Sequence, residues 1–160
     1  MTTDAERNAL TRIATSTSAD DLKKIMKNAK AVSQLVYHAA FRRLIDISTE
    51  HKNDPVARAC WKMVHTVEQI RRENGRSVYR MNRLRPKIER DGERAALDYC
   101  ANNRTDGFQE ILDYKMPEYT AEAIVLGYLE EFSEATKTAA RKRLADEGIN
   151  PAIYEGRPLI

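Results

Sequence analysis

The sequence predicts an all-α protein, either a compact bundle or stacked helical pairs of about eight short helices. Three observations support this class. Apolar residues recur at three- and four-residue spacing along most of the chain. Good helix formers such as Ala, Leu, Arg, Glu and Lys dominate, and only six glycines and five prolines interrupt them. The candidate hairpin turns, Asp91-Gly92 and Asp106-Gly107, have neighbours at helical rather than alternating spacing.

The first three helices are predicted from capping residues and apolar faces. One helix is expected from Asp4 to Ala14, and Ser18 is expected to cap the next, whose first turn carries two acids that suit the helix dipole. A third helix is predicted from near Val32 to His51. The residues predicted to face inward on this helix are Val32, Leu35, Val36, Ala39, Ala40, Leu44 and Ile47.

A clear helix start lies in the middle of the chain. Asp54 is a capping residue, and Pro55 follows it at the first helical position, where proline is well tolerated. This fourth helix is expected to end near Gly75. The apolar spacing continues beyond it and predicts two further helices. The second is expected to begin at Pro86, because proline disfavours helix at the preceding residue. The residues predicted to be buried on the fourth helix are Ala59, Cys60, Met63, Val64, Val67 and Ile70.

The remaining helices are predicted from polar and proline-containing starts. These starts are Thr105-Asp106, Pro117 to Thr120, and Ser133. Gly148 is expected to end the last helix. We therefore expect a single helical domain over 1–148, with a basic part at 1–90 and an acidic part at 91–148. An extended tail is expected over 149–160, which holds two prolines and a glycine.

The two cysteines and the chain start predict a cellular compartment. Cys60 and Cys100 lie in helical patterns and match no zinc-site spacing, so we interpret them as buried free thiols in a reducing compartment. The residues after Met1 do not resemble a signal peptide, and no apolar run is long enough to span a bilayer. A cytoplasmic location is the resulting expectation.

Charge is distributed unevenly along the chain. Residues 1–90 hold 19 Lys or Arg against 10 Asp or Glu, whereas residues 91–160 hold 8 against 14. Six basic residues recur at steps of three and four and would form one stripe on a continuous helix: Arg72, Arg76, Arg80, Arg83, Lys87 and Arg90. Like charges at this spacing repel each other, so the stripe favours an external anion such as a phosphate backbone.

The leading hypothesis from the sequence is a non-enzymatic helical protein that binds nucleic acid, DNA rather than RNA. Its affinity would come from phosphate contacts made mainly by arginine, whose planar fork suits phosphate. The predicted contact residues are Arg72, Arg76, Tyr79, Arg80, Arg83, Arg85, Lys87, Arg90, Arg42 and Arg43.

Two alternative functions are also consistent with the sequence. The first is a protein-interaction or regulatory module, an inhibitor or accessory subunit, whose basic face meets an acidic partner or a second copy of the chain. The second is a small metal-dependent nuclease, because Asp98, Asp113 and Lys115 follow the order of acids and lysine in such enzymes. No catalytic motif stands out, so we predict no catalytic residue, no metal site and no cofactor.

Overall fold

The computed structural model describes residues 1–158. Within them the chain forms nine α-helices, three short 3-10 helices and no strand, which confirms the all-α class. The chain divides after Glu50 into two compact units. The single domain over 1–148 stays a prediction. Within the described residues, no helix is both long and apolar enough to cross a membrane.

The first unit contains three helices that begin at side-chain caps. Their bounds are α1 (Asp4–Thr15), α2 (Ala19–Ala29) and α3 (Gln34–Ser48). Thr3 and Glu6 form a capping box at the start of α1, and Ser18 caps α2 as predicted. Ser33 caps α3, and its hydroxyl also donates to Glu6 Oε1 at 2.7 Å. Both α1 and α2 pack against α3.

The buried face of α3 agrees with the prediction at Val36, Ala40 and Leu44 but differs elsewhere. Val32 and Leu35 were expected to face inward, but they are 85% and 51% exposed. Val32 precedes the first residue of α3, so helical spacing does not determine which way its side chain faces. Tyr37, Phe41 and Ile45 are buried instead. Large aromatic side chains bury more apolar area than Val or Leu. The helix is therefore oriented with its aromatic residues towards the core.

Over residues 51–158 the second unit contains six α-helices, of which α4 is the longest. Their bounds are α4 (Pro55–Glu73), α5 (Leu84–Asp91), α6 (Glu93–Asn102), α7 (Asp106–Asp113), α8 (Ala121–Gly127) and α9 (Glu134–Asp146). The 3-10 helices are Pro117–Tyr119, Leu129–Glu131 and Pro151–Ile153. Asp54, Thr120 and Ser133 cap their helices as predicted. All six apolar residues expected to be buried on α4 are buried. This helix contacts α6, α7 and α8.

A glycine turn ends α4 and interrupts the predicted basic helix. Gly75 has a φ of +71°, a conformation that few other residues adopt. Its N–H donates to the Arg72 carbonyl, and the Arg76 N–H donates to the Arg71 carbonyl, both at 3.0 Å. These two bonds form a Schellman motif, which turns the chain away from the helix axis. The predicted end of α4 near Gly75 is confirmed, but the helix predicted directly after it is wrong. Residues 76–83 form a loop, so the Arg72–Arg90 stripe does not lie on one helix.

The next helix begins slightly earlier than predicted. Proline was expected to be the first residue of α5, but the helix starts at Leu84 and Pro86 lies within its first turn. The nitrogens of the first turn have no partner inside the helix, so the missing N–H of proline costs little there.

The C-terminal segment belongs to the second unit and packs on its helices. A 3-10 helix occupies Pro151–Ile153, so the segment is not extended throughout as the sequence predicted. The Gly156 N–H donates to the Leu126 carbonyl at 2.9 Å, which ties the segment to α8. Residues 159 and 160 of the predicted tail lie outside the described residues.

Gly127 provides the space for this packing, and its replacement is expected to disrupt it. A Cβ atom on Gly127 would lie 3.0 Å from the backbone Cα of Pro158. Backbone cannot move aside as a flexible side chain can. We expect Gly127→Ala to lower the free energy of unfolding by roughly 1–3 kcal/mol, as measured by urea denaturation. In a chain shortened to end at Arg157 the same substitution should cost nothing. An equal cost in both chains would contradict this explanation.

Candidate nucleic-acid interface

A basic cleft of about 860 Å³ opens in the second unit. Its walls come from the 76–83 loop, α5, and the chain where α6 ends and α7 begins. Its floor contains the buried apolar residues Met63, Val67, Leu84, Phe108 and Ile111. Seven basic residues and two acidic ones line it: Arg71, Arg76, Arg80, Arg83, Lys87, Arg90 and Arg104, with Asp106 and Glu122. The cleft thus combines an apolar floor with an excess of positive charge.

Three arginines that line the cleft have no hydrogen-bond or ion-pair partner in the part of the chain that the structure describes. Arg80 and Arg83 lie in the loop before α5, and Arg104 lies just after α6. All three are exposed, and within residues 1–158 none of them forms an ion pair or a hydrogen bond. We call them the free arginines. Because no carboxylate neutralises them, their guanidinium groups can take an external anion at no cost in broken contacts.

Two further cations share Glu110. Arg71 donates to it through Nε at 3.0 Å and Nη2 at 2.8 Å, and Arg76 Nη1 lies 3.7 Å from Oε2 of the same carboxylate. The bonds to Glu110 raise the pKa of Arg71. Two guanidinium groups therefore share one carboxylate, and Arg76 is the more exposed and the more distant of the two.

Asp91 is shared in the same way at the end of α5. Lys87 Nζ and Arg90 Nη2 each lie 3.1 Å from its Oδ2 atom. The hydrogen bonds from Arg90 and Lys87 lower the pKa of Asp91. Here too, two positive charges face one negative charge at the edge of the cleft.

Arg85 does not line the cleft but forms an ion pair with a buried carboxylate. Its Nε and Nη2 atoms each lie 2.7 Å from an oxygen of Glu68, which is 1% exposed. The Met81 N–H donates to the same carboxylate at 3.0 Å. Burial alone would raise the pKa of Glu68, but the bonds from Arg85 and Met81 outweigh it and the pKa is lowered. Buried Glu68 thus anchors both α5 and the loop that carries two of the free arginines.

The other predicted contact residues lie outside the cleft. The guanidinium of Arg72 stacks 4.2 Å above the ring of Tyr79, which is half-buried. Arg42 and Arg43 belong to α3 in the first unit and are both half-buried. Arg43 Nε donates to the Ser16 carbonyl at 2.9 Å, and its Nη1 atom lies 3.2 Å from Asp46 Oδ2.

The structure therefore divides the predicted contact residues into two groups. Those that line the basic cleft are Arg76, Arg80, Arg83, Lys87 and Arg90. Those that do not line it are Arg72, Tyr79, Arg85, Arg42 and Arg43. The stripe was built on helical spacing, whereas the cleft is assembled by a loop, which explains why the two sets differ.

Sequence reasoning missed Tyr99, Arg104 and Glu122 as residues of the cleft. Tyr99 is 47% exposed, and a signal for it existed: the inward face of α6 is defined by Ala96, Leu97, Cys100 and Ala101, which leaves Tyr99 outside. Arg104 is an isolated charge in a polar segment, so no pattern identifies it. Glu122 stands in an apolar helix, where a buried acid is unexpected.

Glu122 is the most perturbed carboxyl group in the cleft lining. Only 1% of the residue is exposed, and burial raises its pKa to about 7. Arg143 partly opposes this effect, since its Nη1 lies 3.3 Å from Glu122 Oε2 and also donates to the Cys100 carbonyl at 3.0 Å. Burial, followed by the charge of Glu122, raises the pKa of the Cys100 thiol to about 12. Cys100 is thus a thiol at neutral pH, and Glu122 changes its charge there.

The two acids of the nuclease alternative accept hydrogen bonds from other side chains. Asp98 accepts from the Thr136 hydroxyl and from Asn102, and Asp113 accepts from Gln109 Nε2 at 2.9 Å. In the part of the chain that the structure describes, no three His, Cys, Asp or Glu side chains are placed to hold a metal ion together. The geometry therefore gives no support to the acid–acid–lysine pattern.

Comparison with family models, curated proteins and solved structures gives no match to this chain. A functional assignment consequently depends on the charge and geometry of the basic cleft.

Proposed function

We propose that this protein binds nucleic acid through the basic cleft, with DNA as the expected partner. The observation that carries the proposal is the group of free arginines, Arg80, Arg83 and Arg104, which line one cleft and pair with no carboxylate of the described residues 1–158. A guanidinium group presents paired N–H donors that match two phosphate oxygens, and such charge-assisted bonds are about twice as strong as neutral ones.

The shared carboxylates add to the positive field. Glu110 and Asp91 each face two cations, so each of these small clusters retains positive charge beside the free arginines. Neighbouring positive charges of this kind suit a ligand with several phosphates better than a single small anion. Each phosphate neutralised releases condensed counter-ions, so binding is expected to weaken steeply with salt.

A salt titration with a matched variant tests the proposal. We expect labelled DNA to bind at about 50 mM NaCl and to weaken linearly on a log–log plot towards 200 mM, as followed by fluorescence anisotropy. Replacing the free arginines, as Arg80→Ala, Arg83→Ala and Arg104→Ala together, should weaken binding at least about ten-fold and reduce the salt slope by about three.

The matched control removes the same charge outside the cleft. Lys23, Lys27 and Lys142 are exposed and do not line the cleft, so their joint replacement by Ala should leave the slope nearly unchanged. No binding at low salt, or an equal loss in both triple variants, would overturn the proposal. Polyglutamate binding as tightly as DNA would instead favour the acidic protein partner.

A further inference from the structure

The basic cleft presents apolar surface as well as charge. Val78 and Tyr99 both line the cleft, and they are 63% and 47% exposed. Large apolar side chains lose hydrophobic free energy when they stay in water, so two of them at one cleft mark a surface suited to a ligand. A ligand that offered only phosphates would leave this surface uncovered.

Tyr99 also has the character of a stacking platform. The cationic Lys87 lies over one face of its ring, with Nζ 5.4 Å from the ring centroid, which leaves the other face for a base. Bases stack on aromatic side chains whatever their sequence, and a nearby cation holds the linked phosphate. Proteins that bind single strands combine these two features, a positively charged groove and exposed aromatic rings.

The volume of the cleft favours an unpaired base over a base inside a duplex. A volume of about 860 Å³ is within the range of pockets that enclose small ligands and has room for at least one nucleotide. A base inside a duplex is paired and stacked, so it reaches a pocket only after costly extrusion. An unpaired base has no such cost.

We infer that the basic cleft holds an unpaired nucleotide of a single strand, with its base against Tyr99 and Val78 and its phosphates at the free arginines. This inference rests on the proposed function and narrows it to single-stranded nucleic acid. Tyr99 supplies the ring face for the base, and the apolar floor excludes water around it. The protein then prefers single strands to duplexes of the same sequence.

Three DNA probes test the inference at one salt concentration. They are a labelled single strand of about 12 nucleotides, its blunt duplex, and the same strand with abasic sites at its centre, which keeps every phosphate. We expect the intact strand to bind about ten-fold more tightly than either of the others, because only it offers unpaired bases. Equal affinity for the intact and abasic strands would overturn the inference.

Tyr99 variants identify the contact. Tyr99→Ala should weaken binding of the intact strand about ten-fold and leave the abasic strand nearly unaffected, whereas Tyr99→Phe, which keeps the ring, should bind like the original protein. A loss of the same size for both strands would show that Tyr99 does not meet a base. Failure of all three probes to bind would refute the proposed function itself. Equal binding of the intact and abasic strands would refute only the inference about the base.

Discussion

Arg85→Met is expected to lower the free energy of unfolding by about 3–5 kcal/mol, because it leaves Glu68 buried without its counter-ion. Glu68 is 1% exposed, and the guanidinium of Arg85 meets both of its carboxylate oxygens at 2.7 Å. Methionine keeps much of the packing volume of arginine. The decrease in the free energy of unfolding therefore measures the loss of the positive charge. Urea denaturation followed by circular dichroism measures it.

A second substitution isolates the uncompensated charge. Adding Glu68→Gln to Arg85→Met removes the buried charge while keeping an acceptor for the Met81 N–H, so the double variant should be more stable than Arg85→Met alone. Arg94→Met serves as the comparison: Arg94 pairs with Asp54 and Glu131, but all three side chains are about two-fifths exposed. Solvent screens such pairs, so its effect should be much smaller. Equal effects at the two arginines would contradict the prediction.

The loop offers a second readout for the same pair. Glu68 accepts the N–H of Met81, within the 76–83 loop. When this acceptor is lost in Glu68→Ala, the loop loses an anchor, and hydrogen exchange at the Met81 amide should accelerate. Because Arg80 and Arg83 lie in this loop, DNA affinity should fall in the same variant even though no residue of the cleft is replaced.

The stability of the protein is expected to fall by up to about 3 kcal/mol between pH 5 and pH 8 through Glu122 alone. In the folded protein, burial holds the pKa of this group at about 7, whereas its ordinary value is 4.5. Between these values the folded state keeps a proton that the unfolded state has released. Rising pH therefore favours the unfolded state over this interval, and the contribution levels off above about pH 7.

Glu122→Gln is expected to remove this dependence, since an amide does not titrate and can still accept from Arg143. The free energy of unfolding of the variant, measured by urea denaturation, should rise relative to that of the original protein as the pH increases from 5 to 8. Glu130→Gln, at an exposed position, provides the control and should leave the pH profile unchanged. Parallel profiles for Glu122→Gln and the original protein would contradict the prediction.

The helices themselves followed from local sequence. Ser18, Asp54 and Ser133 cap helices where the sequence places them, because a cap bonds to backbone groups only two or three residues away. The buried face of α4 was predicted for the same reason: helical spacing alone defines it when apolar residues are continuous. On α3 the spacing identified only part of the buried face, because packing against α1 and α2 also buried Tyr37, Phe41 and Ile45, which the spacing did not indicate.

The composition of the cleft was decided by tertiary structure. The sequence identified the basic segment and five of the residues that line the cleft, but helical spacing could not show which guanidinium groups remain free. Arg85 pairs with Glu68, which is 17 residues away in the sequence, and Arg71 pairs with Glu110, which is 39 residues away. Arg80 and Arg83 pair with no acid within residues 1–158. Charge is a property of the sequence, but its neutralisation depends on which distant carboxylates folding brings near.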